Sequence, residues 1–195
     1  MKLFYTNTSP YSRKVRICTI EFNIDKQIEL EFCNPFDSPD KVFEFNPLGK
    51  IPILIDEKSI VVDSNLICEY LAQKTNTASF HLNNINDKTL SLYAEEITNT
   101  ALKIVLEKRR ESKYCSNDFI EGQKTKIINT LEFLNKNIFS QDFNFLNLNL
   151  AVALSYLNFR LPEIFWAEKF RNLEAWYEDF TKRDSFKRTR PDIVI

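Results

Sequence analysis

Every strand signal in this chain lies before residue 63, and beyond Asn86 only helical patterns remain. A chain so divided builds one mixed α/β layer structure followed by helices packed on helices. Lys2 to Thr6 reads as a strand. Ser9-Pro10 then opens a helix to about Phe22, with serine as cap and proline in the first turn. Gln27 to Cys33 alternates apolar and polar residues, as a half-buried strand does. Ser38-Pro39 repeats the start signal for a short helix to about Phe45, and Asn46-Pro47-Leu48-Gly49 is a turn. Pro52 marks the beginning of a strand reaching Ile55, because proline is disfavoured inside one. Ser59 to Val62 is a further strand, and Asp63-Ser64 caps a helix bearing Leu66, Ile67, Tyr70 and Leu71.

The order strand, helix, strand, helix, strand, strand, helix is that of a thioredoxin-like domain, here residues 1–75. A polar linker at 76–85 leads to an all-helical domain at 86–195. Helical patterns there fill Asp87 to Ser112, Asn117 to Phe139, Asn144 to Arg160 and Glu168 to Lys182.

Composition removes several classes of function. Lysine and arginine total 26 against 27 acidic residues, a formal net charge of −1. That balance speaks against a broad nucleic-acid footprint and against an acidic membrane surface. No apolar run approaches a membrane span, and Met1-Lys2-Leu3-Phe4-Tyr5 lacks the marks of a secretion signal. A cytoplasmic protein is the expectation. Cys18, Cys33, Cys68 and Cys115 show no paired spacing, and His81 is the only histidine. Reduced thiols, buried at Cys18 and Cys68, and no metal are expected.

Ser9-Pro10-Tyr11-Ser12 occupies the place where thioredoxin-like proteins carry Cys-x-x-Cys. With serine at both positions, disulfide exchange through this motif is chemically impossible. A serine at a helix N-terminus can still donate a hydrogen bond to a thiolate supplied by a substrate. A free thiol titrates near about 8.5. Lowering that by about two units requires roughly 3 kcal/mol of differential stabilisation, the size of one charge-assisted hydrogen bond plus a helix terminus. Taken alone, the tetrapeptide reads first as a simple N-cap.

The segment Asn46-Pro47-Leu48-Gly49-Lys50-Ile51-Pro52-Ile53-Leu54, followed by Val62-Asp63-Ser64 and a helix, resembles the glutathione transferase superfamily. Ser9 to Arg16 resembles the active-site segment of its serine- and cysteine-type classes, and Arg183-Asp184-Ser185-Phe186 with Thr189 and Pro191 resembles its ending. The resemblance implies a cis bond before Pro52, with the Ile51 backbone pairing with the cysteinyl part of glutathione. It implies that Asp63 and Ser64 hold the γ-glutamyl end: aspartate accepts from the ammonium, while the serine and helix N-terminus receive the carboxylate. Lys50 stands where a basic side chain contacts the glycyl end. Ser9 stabilises the thiolate; Tyr5, at the end of the first strand, is its rival and is expected to pack beside the site.

Arg13, Lys14 and Arg16 read as a solvated helix face, as do Lys182, Arg183, Lys187, Arg188 and Arg190 near the tail. Tyr11, Tyr93 and Phe119 are candidates for lining the second-substrate site. At Asn144-Phe145-Leu146-Asn147 the family's Ser/Thr-x-x-Asp box lacks its charged partner. The implied function is a homodimeric glutathione transferase of detoxification, using glutathione as co-substrate against an electrophilic small molecule. The alternatives are a non-catalytic binding or regulatory protein on the same fold, such as a transcription-machinery partner, or a glutathione-dependent isomerase. A reductase ranks last, for want of a cysteine at Ser9.

Overall fold

The computed structural model describes residues 1–191. They form two compact units: residues 1–81 with 183–191, and residues 82–182.

In unit 1 a four-stranded mixed sheet runs in the order β2-β1-β3-β4. Its strands are β1 (Lys2–Tyr5), β2 (Glu29–Phe32), β3 (Ile53–Asp56) and β4 (Ser59–Val62). β1 lies parallel to β2, with Lys2 opposite Glu29, and antiparallel to β3, with Phe4 opposite Ile53. β3 and β4 form an antiparallel pair. Helix α1 (Pro10–Glu21) links β1 to β2, α2 (Pro39–Phe43) precedes β3, and α3 (Ser64–Lys74) follows β4.

Side chains alternate across a strand, and this sheet buries both faces. Phe4 and Ile53 pack with Cys33 and Val42, beneath α2. Leu3 and Leu54, one residue along on each strand, point to the opposite face and are fully buried. There α1 and α3 pack together, contributing Val15, Ile17, Cys18, Ile67, Cys68 and Leu71. The Cys18 and Cys68 sulfurs lie 3.4 Å apart, and burial pushes the Cys18 thiol well up. This is a thioredoxin-like α/β unit, as the order of elements implies.

The expected helical domain of 86–195 is corrected at its end. Residues 183–191, with α9 (Asp184–Arg188), pack on α1. Polar side chains hold the segment there. Arg183 Nη1 donates to Glu21 at 3.0 Å, Ser185 Oγ donates to Glu21 at 2.5 Å, and Arg188 pairs with Asp25 at 2.5 Å. The basic cluster of the tail is therefore partly engaged rather than merely solvated.

Unit 2 is all-helical: α4 (Ile85–Lys108), α5 (Asn117–Leu134), α6 (Phe145–Arg160), α7 (Trp166–Lys169) and α8 (Arg171–Phe180). α6 is buried at every position from Leu146 to Leu157 and packs chiefly on α4. A helix apolar on all sides belongs in a core. Asn144 caps it by accepting from the Asn147 N–H at 2.9 Å. Asn147 stands where the family's box carries aspartate. Its amide instead donates to the Ser140 and Asp142 carbonyls, at 3.0 and 2.8 Å. The expected helix over Glu168 to Lys182 is two helices, broken at Phe170 where the backbone leaves helical angles.

Candidate active site

Three backbone features converge in unit 1. The first is the start of α1. Ser9 has extended backbone angles and caps the helix, its Oγ accepting from the Ser12 N–H at 3.2 Å. A hydroxyl that accepts in this way keeps its own proton to donate. Half-buried Ser9 therefore presents an O–H donor at the positive end of a helix. Ser12, at the second cysteine position of the motif, is fully buried, and its Oγ has no hydrogen-bond partner among the described residues.

The second feature is the turn before β3. Asn46 is buried and holds the turn from within. Its Oδ1 accepts from the Leu48 N–H at 3.0 Å, and its Nδ2 donates to the Lys50 carbonyl at 2.8 Å. Gly49 has φ +63°, and a Cβ there would stand 2.9 Å from the Phe43 ring. Both demands favour glycine. The loop delivers exposed Lys50 and the Ile51–Pro52 peptide, which is cis.

The third is the start of α3. Asp63 caps the helix through Oδ1, which accepts from Asn65 N at 2.8 Å and Leu66 N at 3.3 Å. Its own φ is +73°, an unusual value for a residue with a side chain. Strained backbone of this kind clusters at functional sites. Ser64, buried, begins the first turn.

A side-chain bond joins the second turn of α1 to the first turn of α3: Lys14 Nζ donates to Asn65 Oδ1 at 2.7 Å. Lys14 is 3% exposed and Arg13 is 7% exposed, so their reading as a solvated face is corrected. Arg13 turns to α9, donating to the Phe186 carbonyl at 3.3 Å and Thr189 Oγ1 at 3.4 Å, with its guanidinium 5.2 Å from the Phe186 ring centroid. The missed signal is helical spacing. Lys14 stands three and four residues before Ile17 and Cys18, on the stripe that faces α3. Asn65 carried no signal beyond its place after the cap.

Tyr5 stands beside these features, under the Arg16 guanidinium at 5.0 Å and edge-on to Phe32. The structure thus brings Ser9 and Asp63–Ser64 to the first turns of two packed helices. Tyr93 and Phe119, expected to line a second-substrate site, belong to unit 2.

Two helix N-termini offering N–H groups, an O–H donor and a capping carboxylate are groups with the chemistry to receive a small zwitterion with an extra anionic group. Residues 8–74 match the family model described as the glutathione S-transferase N-terminal domain. The chain is 31% identical over 204 residues to the GST-like protein YibF of Escherichia coli (strain K12), covering 98% of each. Among solved structures, a glutathione transferase family member from Pseudomonas fluorescens Pf-5 with bound glutathione is 29% identical, with a TM-score of 0.88, covering 98% of this chain and 99% of that one. A glutathione S-transferase from Methylobacillus flagellatus KT with glutathione bound is 30% identical at the same TM-score and coverage. The chain belongs to the glutathione S-transferase superfamily.

Proposed function

We propose that the protein binds reduced glutathione in unit 1 and adds its thiolate to an electrophilic small molecule, as a cytoplasmic homodimeric transferase serving detoxification. One observation carries this reading. The caps Ser9 and Asp63 begin two packed helices that are bonded near these ends through Lys14 and Asn65. Ser9 donates to the thiolate. The backbone at Ile51, ahead of Pro52, pairs with the cysteinyl residue. Asp63 receives the γ-glutamyl ammonium, Ser64 and the α3 N-terminus receive its carboxylate, and Lys50 meets the glycyl carboxylate. The glutathione bound in the Pseudomonas and Methylobacillus structures supports the choice of co-substrate.

Calorimetric titration with reduced glutathione, on wild type, Ser9→Ala and Asp63→Ala, tests the proposal. Wild type is expected to bind. Asp63→Ala is expected to lose about tenfold or more in affinity, the cost of one unpaired charged group. Ser9→Ala is expected to retain binding while the bound thiol titrates one to two units higher, roughly the worth of one charge-assisted hydrogen bond. Absence of wild-type binding at millimolar glutathione would sink the proposal. Binding without any depression of the thiol pKa would favour a non-catalytic glutathione-binding role.

A further inference from the structure

Lys14, like Arg13 and Asp56, is a buried charge of unit 1 that the proposed chemistry leaves unused, and of the three it alone is bonded to the first turn of α3 through Asn65. Its side chain is almost wholly enclosed, yet its ammonium lies against the first turn of α3, bonded to Asn65 Oδ1. The Asn65 N–H in turn donates to the Asp63 carboxylate at 2.8 Å. Helical side chains lean toward the N-terminus. Lys14, five positions beyond the Ser9 cap, holds its ammonium at the seam of α1 and α3, on Asn65 and close enough to Cys18 to act on its thiol. Both helix N-termini are already the positive ends of their dipoles. Enclosing a cation beside them opposes like charge to like and strips the ammonium of water. The arrangement disfavours the empty protein and favours an anion brought to the same helix ends.

Ionisable groups described around Lys14 include its neighbours Arg13 and Arg16 on α1. Cys18 and Glu21 lie on α1, and Cys68 and Asp63 on α3; Lys14 lowers the Cys18 thiol while Glu21 raises it. From α9, Arg183 pairs with Glu21, and Arg188 with Asp25 and Asp184.

We infer that Lys14 is a positioning residue of the glutathione site: it ties α1 to the first turn of α3 through Asn65, and its charge favours the bound thiolate. This rests on the proposed function above. Charge and tether are separable. Lys14→Met removes both. Lys14→Gln removes the charge but keeps an N–H donor within reach of Asn65. Lys14→Arg keeps the charge. Replacing a buried charge by a neutral side chain of similar volume is often neutral for stability or favourable, so the neutral variants are expected to fold, and their melting transitions check this.

The experiment follows the ultraviolet absorbance of the glutathione thiolate in the complex as a function of pH, beside calorimetric affinity. Lys14→Met and Lys14→Gln are expected to raise the thiol midpoint by about one unit, the order of effect of removing one charge from a partly buried site. Lys14→Arg is expected to keep the wild-type midpoint. A purely structural lysine would instead lower affinity in Lys14→Met and leave the midpoint unmoved. An unchanged midpoint in both neutral variants, with wild type binding glutathione and depressing its thiol pKa, overturns the inference while leaving the proposed function standing. Wild type failing to bind overturns both.

Discussion

Unit 1 and unit 2 hold themselves together by different means. In unit 1 short elements meet through polar side chains at fixed points. Lys14 reaches Asn65, Arg13 reaches Thr189 and the Phe186 carbonyl, Glu21 receives Arg183 and Ser185, and Asp56 receives Tyr70 and Lys74. Its loops depend on particular residues, Asn46, Gly49 and Asp63, each in a role that few side chains can fill. Unit 2 relies on continuous apolar burial, with α6 enclosed over three turns. It has polar links of its own, such as Asn149 to Ser91 at 2.9 Å and Trp176 to the Ser140 carbonyl at 2.8 Å, but these are set around the long apolar core of α6. Fixed polar points position backbone groups and charges, whereas an apolar core supplies free energy with little direction. Unit 1 therefore carries geometry and unit 2 carries stability.

The strongest test of that division lies in α6. Leu150→Ala, at a fully buried position, is expected to lower unfolding free energy by about 2–5 kcal/mol. The thiol midpoint of bound glutathione in the folded protein should not move. Denaturant unfolding and the thiolate titration measure the two. A midpoint shift in Leu150→Ala would break the division.

A smaller loss of stability should accompany a larger loss of function at Gly49. An alanine there must hold φ near +63° and displace the Phe43 ring. The expected cost is about 1–2 kcal/mol. Glutathione affinity should fall further than in Leu150→Ala, because the turn sets Lys50 and Ile51.

The smallest effect concerns pH. Hydrogen bonds from Lys74 and Tyr70 hold the Asp56 carboxyl below the usual carboxylate range. Its folded pKa is thus lower than its unfolded one. The stability it contributes is full above the unfolded value, near about 3.9, and is lost as the pH falls through the folded value. Asp56→Asn should cost about 1 kcal/mol at neutral pH, with the difference from wild type vanishing at strongly acid pH. Unfolding midpoints across that range would show it; a pH-independent difference would remove Asp56 from the charged tethers of unit 1.

The same contrast explains what the amino-acid sequence discloses. Strand, helix and cap assignments in unit 1 are legible because serine, aspartate, proline and glycine mark fixed backbone conformations. The starts of α1 and α3 fall at the residues that Ser9-Pro10 and Asp63-Ser64 announce. Arg13 and Lys14 mislead because a long cationic side chain reads as solvated until its partners are known, and those partners lie 51 and more than 170 residues away. The break between α7 and α8 is equally silent, since Phe170 leaves helical angles without glycine or proline to announce it.

The placement of residues 183–191 on α1 also bears on biosynthesis. The ribosome delivers α1 early, but the partners of Arg13, Glu21 and Asp25 emerge only after residues 82–182 have been made. At translation rates of about 5–20 residues per second, the nascent unit 1 waits roughly 5–20 s for α9. During that interval α1 exposes a surface built to be covered, so a pause or premature termination within unit 2 leaves an incomplete fold for chaperones to shield.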